Sequence, residues 1–268
     1  NHWNEDDPAE VPTSCAQCHS TPGYIDFVGA DGSEAGVVDQ AAPLGSTVEC
    51  RACHNDVTIA LDSVTFPSGI EITGLGDESR CMVCHQGRHS TVSVNQSIAD
   101  AGLGEGDEDT ISEDLGFSNI HYYAAAATLY GTAAKGGYEY EGMAYDGKFD
   151  HVAGYDSCID CHNPHTLEVK VDECTMCHTG VESAEDLVNI RMPGSQVDYD
   201  GDGDTEEGII FEIEGLQEML SAAMSTYATE VGGTGIVYDA ASYPYFFDEA
   251  GERFASWTPR LAKAAYNY

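Results

Sequence analysis

Cys15-Ala16-Gln17-Cys18-His19 opens a pattern that returns as Cys50-Arg51-Ala52-Cys53-His54, Cys81-Met82-Val83-Cys84-His85, Cys158-Ile159-Asp160-Cys161-His162 and Cys174-Thr175-Met176-Cys177-His178. These five segments take up all ten cysteines, and a histidine follows every pair although only 10 of the 268 residues are histidine. CxxCH is the attachment signature of c-type haem. Two thiols add to the two vinyl groups of one porphyrin, and the next residue turns its imidazole onto the iron from the proximal side. Zinc knuckles also use CxxC pairs, but they need them in twos, and five is odd. A set of disulfides would leave the histidines unexplained. The pattern therefore predicts five haem c groups, each held by one cysteine pair, with His19, His54, His85, His162 and His178 as proximal iron ligands. Haem of this type is attached outside the cytoplasm, so the chain is expected to be exported.

Removing the proximal ligands from the ten histidines leaves His2, His89, His121, His151 and His165, five candidates for five distal positions. Iron with two axial imidazoles is closed and six-coordinate, so it exchanges electrons with little change of geometry. A Met ligand would raise the potential, but Met82 and Met176 lie inside the motifs and only Met143, Met192, Met219 and Met224 remain. His165 follows His162 by three residues in CHNPH and is expected to reach a neighbouring iron. His121 opens NIHYYAAAATLYG, whose pattern predicts a helix capped at Ser118 or Asn119. His151 precedes the fourth motif, His2 lies near a terminus, and His89, four residues after His85, has the weakest case.

Composition agrees with an interior not built from aliphatic side chains: hydrophobic residues are 42%, with 29 Gly and 15 Tyr. The expected fold class is a mostly irregular, haem-cored chain with a few short α-helices and minimal β structure. The porphyrins supply apolar surface that side chains do not. A hairpin is predicted at SVTFPSGIEI, around Pro67-Ser68-Gly69. Tyr122, Tyr123, Tyr130, Tyr138, Tyr140 and Tyr145 are expected to pack haem edges or bond propionates. The expected organisation is a pentahaem region over 1–190 and a haem-free segment over 191–268. There are 10 Lys+Arg against 47 Asp+Glu, a net charge of −37, which disfavours nucleic acid and anionic lipid as partners. No apolar run approaches the ~20 residues of a membrane span. The chain begins at Asn1 without a basic-then-apolar leader, as expected of a mature form or of a record lacking its leader.

Past the last motif, VESAEDLVNIR predicts a short helix capped by Ser183. Asp198, Asp200, Asp202 and Asp204 then alternate with Tyr199, Gly201 and Gly203, resembling the first half of an EF-hand calcium loop. The twelfth position is Ile209 where that loop needs Glu, so a calcium loop of another shape, using Glu206 or Glu207, stands beside a plain acidic turn. A helix follows, with Ile209, Ile213, Leu216, Leu220, Ala223, Tyr227 and Val231 as its apolar stripe.

HWNEDD, CMVCHQGR, NIHYYAAAATLYG, GGYEYEG, CHNPHTLEV, DYDGDGDTEEG, YPYFF and SWTPRLAKAAYNY together resemble secreted multihaem cytochromes of bacteria that respire on extracellular acceptors. The resemblance spans most of the chain. It implies bis-His haems in a stacked chain, export, and a plan similar to extracellular cytochrome filaments, in which a boundary haem takes a His from the next subunit. In such relatives the position of His89 is often acidic. The expected function is electron transfer between the cell and outside, as a homo-oligomeric filament meeting redox proteins or extracellular acceptors at the cell surface or beyond. The alternatives are a monomeric periplasmic shuttle, or a reductase of nitrite, hydroxylamine or tetrathionate with one open haem.

Overall fold

The computed structural model describes residues 2–268. In chain order its helices are α1 (Thr13–His19), α2 (Thr21–Phe27), α3 (Cys50–Cys53), α4 (Asp56–Ile59), α5 (Ser79–His85), α6 (Thr91–Asp100), α7 (Ala125–Tyr130), α8 (Cys158–Cys161), α9 (Val171–Cys174), α10 (Ile209–Gly232) and α11 (Pro259–Asn267). Strands occur only as antiparallel pairs among the described residues: β1 (Glu10–Val11) with β2 (Ala42–Pro43), β3 (Ser63–Thr65) with β4 (Glu71–Thr73), and β5 (Ile236–Tyr238) with β6 (Phe246–Asp248). The fold is thus mostly irregular, made of small helices and small hairpins, with the 24-residue α10 as the exception.

Contacts group the chain into two units: one runs to Arg88 and adds His121–Gly136 and Asp146–Phe149, while the other holds His89–Ile120, Gly137–Tyr145 and Asp150–Tyr268.

In the first unit α1 and α2 pack closely because Gly23 carries no side chain; a Cβ there would collide with Ala16. Ser20 joins the two helices, donating to the Ala16 carbonyl at 2.9 Å and accepting from the Gly23 N–H at 3.0 Å, an N-cap for α2. Asn55 starts α4 through a capping box with Thr58. The predicted hairpin forms as β3–β4 with Val64 opposite Ile72, and Gly69 takes the left-handed φ of 82° in its turn.

The second unit has a side-chain core, and it is aromatic. Phe254 and Phe246 meet the Trp257 ring edge-on at 5.3 and 5.5 Å, and Leu261, Ala262 and Ala265 of α11 are buried with them. Thr258 caps α11 by accepting from the Leu261 N–H at 3.2 Å, and Pro259 occupies its first turn. Most of this core comes from the 191–268 segment expected to be haem-free.

Ser183 caps a 3-10 turn over Ala184–Asn189, shorter and tighter than the predicted helix. α10 forms as predicted and ends at Gly233 in the left-handed conformation. Its apolar stripe does not all turn inward: Ile209, Ile213 and Leu216 are exposed, whereas Met224 and Ala228 are buried and Leu220 and Tyr227 pack on the core. The helix predicted around His121 starts later, at Ala125, because His121 and Tyr123 both have positive φ, which a right-handed helix excludes.

Candidate haem-binding sites

Residues three apart lie on one side of a helical turn, so each cysteine pair needs a helical turn, and four of the five pairs have it. Cys15 and Cys18 sit on α1, Cys50 and Cys53 on α3, Cys81 and Cys84 on α5, and Cys158 and Cys161 on α8. The fifth pair straddles the end of α9, where Cys177 N–H and His178 N–H both donate to the Cys174 carbonyl, at 3.2 and 2.9 Å. None of the ten thiols is in a disulfide.

Two of the predicted proximal imidazoles, those of His85 and His162, are held by backbone carbonyls. His85 Nδ1 lies 2.6 Å from the Tyr123 carbonyl and His162 Nδ1 lies 3.1 Å from the Leu167 carbonyl. A carbonyl only accepts, so Nδ1 is the donor in both bonds and Nε2 is the nitrogen left for another partner. This is how metal-bound histidines are oriented. Tyr123 and Leu167, whose carbonyls accept these bonds, have φ of 56° and 63°, and His121 has 81°. Left-handed backbone in residues of this size costs about 1–3 kcal/mol each, and such strain gathers at functional sites. Sequence reading missed these two carbonyls, since a backbone group acting through an unusual φ leaves no mark in residue type.

Two of the predicted distal histidines face proximal ones. The His19 and His121 ring centres are 5.9 Å apart at 84°, and those of His151 and His178 are 5.9 Å apart at 21°. The first pair meets edge-on and the second is stacked, so each predicted distal imidazole lies next to one predicted proximal imidazole. His19 and His121 are also held below the ordinary imidazole pKa, by burial first and then by the Arg88 guanidinium. That favours the neutral ring, the form that binds iron.

Around the first pair the structure forms a cleft of about 540 Å³ lined by Cys15, Cys18, His19, His121, Trp3 and Arg88, among others. Its volume falls within the usual range for a small-molecule site. Cys15, Cys18 and both imidazoles share its wall with the Trp3 ring and the Arg88 guanidinium, a suitable partner for a carboxylate. These residues fit haem c. No family model, curated protein or solved structure matches the chain.

The fourth and fifth motifs are joined through Lys170: its N–H donates to the Cys161 carbonyl at 2.8 Å, its Nζ to the Ile159 carbonyl at 2.7 Å, and its own carbonyl lies 3.8 Å from Cys174 Sγ. Around them, from Asp150 to Glu207, Val181 is the one buried apolar residue. Leu167, Met176 and Val152 stand 71%, 66% and 51% exposed beside the cysteines. A stretch of nearly sixty residues with this much apolar surface and so little side-chain core fits a large apolar group as its interior.

The remaining candidates are placed differently. His2 stacks edge-on to Trp3 at 5.5 Å, and Trp3 meets His19 at 5.5 Å, so His2 belongs to the first site but stands one ring behind its axial pair. His165 is exposed, with its N–H bonded to Asn163 Oδ1 at 2.9 Å. His89 is half-buried in the segment leading to α6, and His54 closes α3. Of the tyrosines, Tyr130 and Tyr138 are buried, Tyr138 donating to Asn95 Oδ1 at 2.9 Å, while Tyr123 is 84% exposed.

In the acidic loop, carboxylate oxygens of Asp198, Asp200 and Glu212 lie within 4.8 Å of one another, as do those of Asp200, Asp202 and Glu207. Asp204 belongs to neither group; its Oδ1 accepts from the Glu206 N–H at 2.9 Å. Glu212 is fully buried and already engaged, by Arg191 Nη1 at 2.7 Å and by the Tyr199 and Asp200 N–H groups at 2.6 and 3.1 Å. Glu207 Oε1 is buried without a hydrogen-bond partner, and its carboxyl is pushed up by burial and then by Asp202.

Proposed function

We propose that the chain is a non-catalytic electron carrier holding five covalent c-type haems, exported from the cell and assembled into an extracellular filament that conducts to redox proteins or external acceptors. The observation that carries this reading is the first site, where Cys15, Cys18, His19 and His121 line one cleft, so that the two thiols would hold the haem and the two imidazoles would be its candidate iron ligands. When bound, haem supplies one-electron iron chemistry. The residues of the chain hold it covalently, present Nε2 by fixing Nδ1 on backbone carbonyls, and keep the His19 and His121 rings neutral. A second imidazole ligand from His121 would leave no coordination position for a substrate, which favours a carrier over a reductase.

The filament part rests on the sequence resemblance, and on apolar surface for which the chain itself supplies no cover, against a net charge of −37 that opposes self-association at low salt. Among the described residues no helix is long and apolar enough to cross a membrane. We also propose that Asp200, Asp202 and Glu207 take a calcium ion, a hard cation suited to clustered carboxylates; the support is the unpartnered Glu207 oxygen.

Intact-mass measurement on protein made with a c-haem attachment system tests the core of the proposal. It should show five haems per chain, with low-spin reduced α-bands and no open-site feature. Fewer than five, or a high-spin population near one haem per chain, would overturn the closed-carrier reading. Negative-stain images should show filaments, and discrete particles at every concentration would reject assembly alone.

A further inference from the structure

We infer that α5 is the junction of the three attachment sites in the first unit, so that the first and third sites adjoin directly and the second connects through the other end of α5. The order in space is then first, third, second, not the order in the chain. This rests on the haem reading above.

The two ends of α5 are tied to different motifs. At its C-terminal end the Val83 carbonyl accepts from Gln17 Nε2 at 2.7 Å. Beside that bond the two chains cross thiol to carbonyl: Cys18 Sγ lies 3.9 Å from the Cys84 carbonyl and Cys84 Sγ 3.9 Å from the Gln17 carbonyl. At its N-terminal end Arg80 Nε donates to the Thr58 carbonyl at 3.0 Å and Ser79 Oγ to the Leu61 carbonyl at 2.8 Å. Thr58 Oγ1 in turn donates to the Cys53 carbonyl at 3.0 Å, which fixes the second motif against this end. Tyr24 of α2 adds a third tie, its hydroxyl donating to the Arg80 carbonyl at 3.1 Å. Cys81 and Cys84 are about 4.5 Å apart along the helix at the α-helical rise, so a group bonded to both reaches from the first motif's thiol to the second motif's side.

The rival adjacency is first with second, and it has contacts of its own: Glu49 N–H donates to Thr21 Oγ1 at 2.7 Å and Thr47 Oγ1 to the His19 carbonyl at 3.3 Å. Those bonds join the flanks of the motifs. The pairing of α1 with α5 instead sets an attachment cysteine of the first motif, Cys18, against one of the third, Cys84.

Iron positions in the haem-loaded protein, from anomalous diffraction or a cryo-microscopy map, test this directly. Within the first unit the iron of the third motif should be the nearest neighbour of both others. A first-to-second separation shorter than either would overturn the inference. As a second readout, Cys81→Ala/Cys84→Ala should lose both exciton couplets of this unit in Soret circular dichroism, whereas Cys50→Ala/Cys53→Ala should lose one of the two; the reverse result would equally overturn it. Absence of haem from the intact mass would instead remove the reading on which the inference stands.

Discussion

Replacing His121 with Gly should turn one haem of the five, and no more, from low-spin to high-spin. The magnitude follows from the 5.9 Å separation of His121 from His19, which places this ring next to one predicted proximal ligand. The nearest substitute, His2, stands behind the Trp3 ring and is not positioned to replace it. Gly is the informative substitution because His121 sits at φ 81°, where Gly is unstrained. The backbone should keep its path and gain on the order of 1 kcal/mol from relief of strain, so loss of the ligand is read without loss of the fold. The ferric high-spin resonance, integrated against total haem, should report one fifth of the iron, and carbon monoxide should bind the reduced protein to the same extent. His151→Ala should do the same at the fifth motif. The double variant should reach two fifths, since the sites share no residues. An all-low-spin His121→Gly protein would falsify the assignment of His121 as an axial ligand; a high-spin fraction beyond one fifth would show that the ring supports more than one site.

Leu261 is 1% exposed in the aromatic core of the second unit, and Leu261→Ala should cost about 2–5 kcal/mol in chemical denaturation, as buried large-to-small changes do; a loss under 1 kcal/mol would mean that this core does not hold the unit. Asp109 is drawn down to about 2 by hydrogen bonds from Arg260 first and then Tyr227. Because its folded pKa is depressed, its contribution is present above the ordinary carboxyl value of about 3.9 and is lost as pH falls through about 2. Arg260→Ala should move the Asp109 midpoint, followed by carboxyl NMR, back toward the ordinary range, and an unmoved midpoint would refute the pairing. Added calcium should raise the melting temperature and a chelator should reverse it; Glu207→Gln should abolish the increase, and a rise that persists in that variant would exclude Glu207 as a ligand.

Much of the local structure was legible because it depends on residue type. The β3–β4 turn follows from Pro67-Ser68-Gly69, the Ser183 cap from its position before Ala184–Asn189, and α10 from its apolar period. The helix around His121 was misread because Ala-rich sequence favours helix locally, while the structure holds His121 and Tyr123 in left-handed backbone that delays the helix to Ala125. The α10 stripe was misread for a related reason: periodicity marks one face, but which turns of that face are covered depends on what packs there, and α11 with Trp257 reaches the half holding Met224 and Ala228.

Cysteine spacing and histidine count by themselves determined the inventory on which the haem proposal rests, five thiol pairs each with an imidazole and five further imidazoles, because covalent attachment and iron ligation would demand those atoms at that spacing. Only tertiary structure decided which imidazoles meet. His121 reaches His19 and His151 reaches His178 across separations in the chain that no local rule relates. The same holds for the approach of Cys84 to Cys18 and for the aromatic core around Trp257. The physical reason is that ligand chemistry is carried by side-chain type and short spacing, whereas pairing depends on the path of the backbone, set here by positive-φ residues, a glycine contact between α1 and α2, and hydrogen bonds over long stretches of chain.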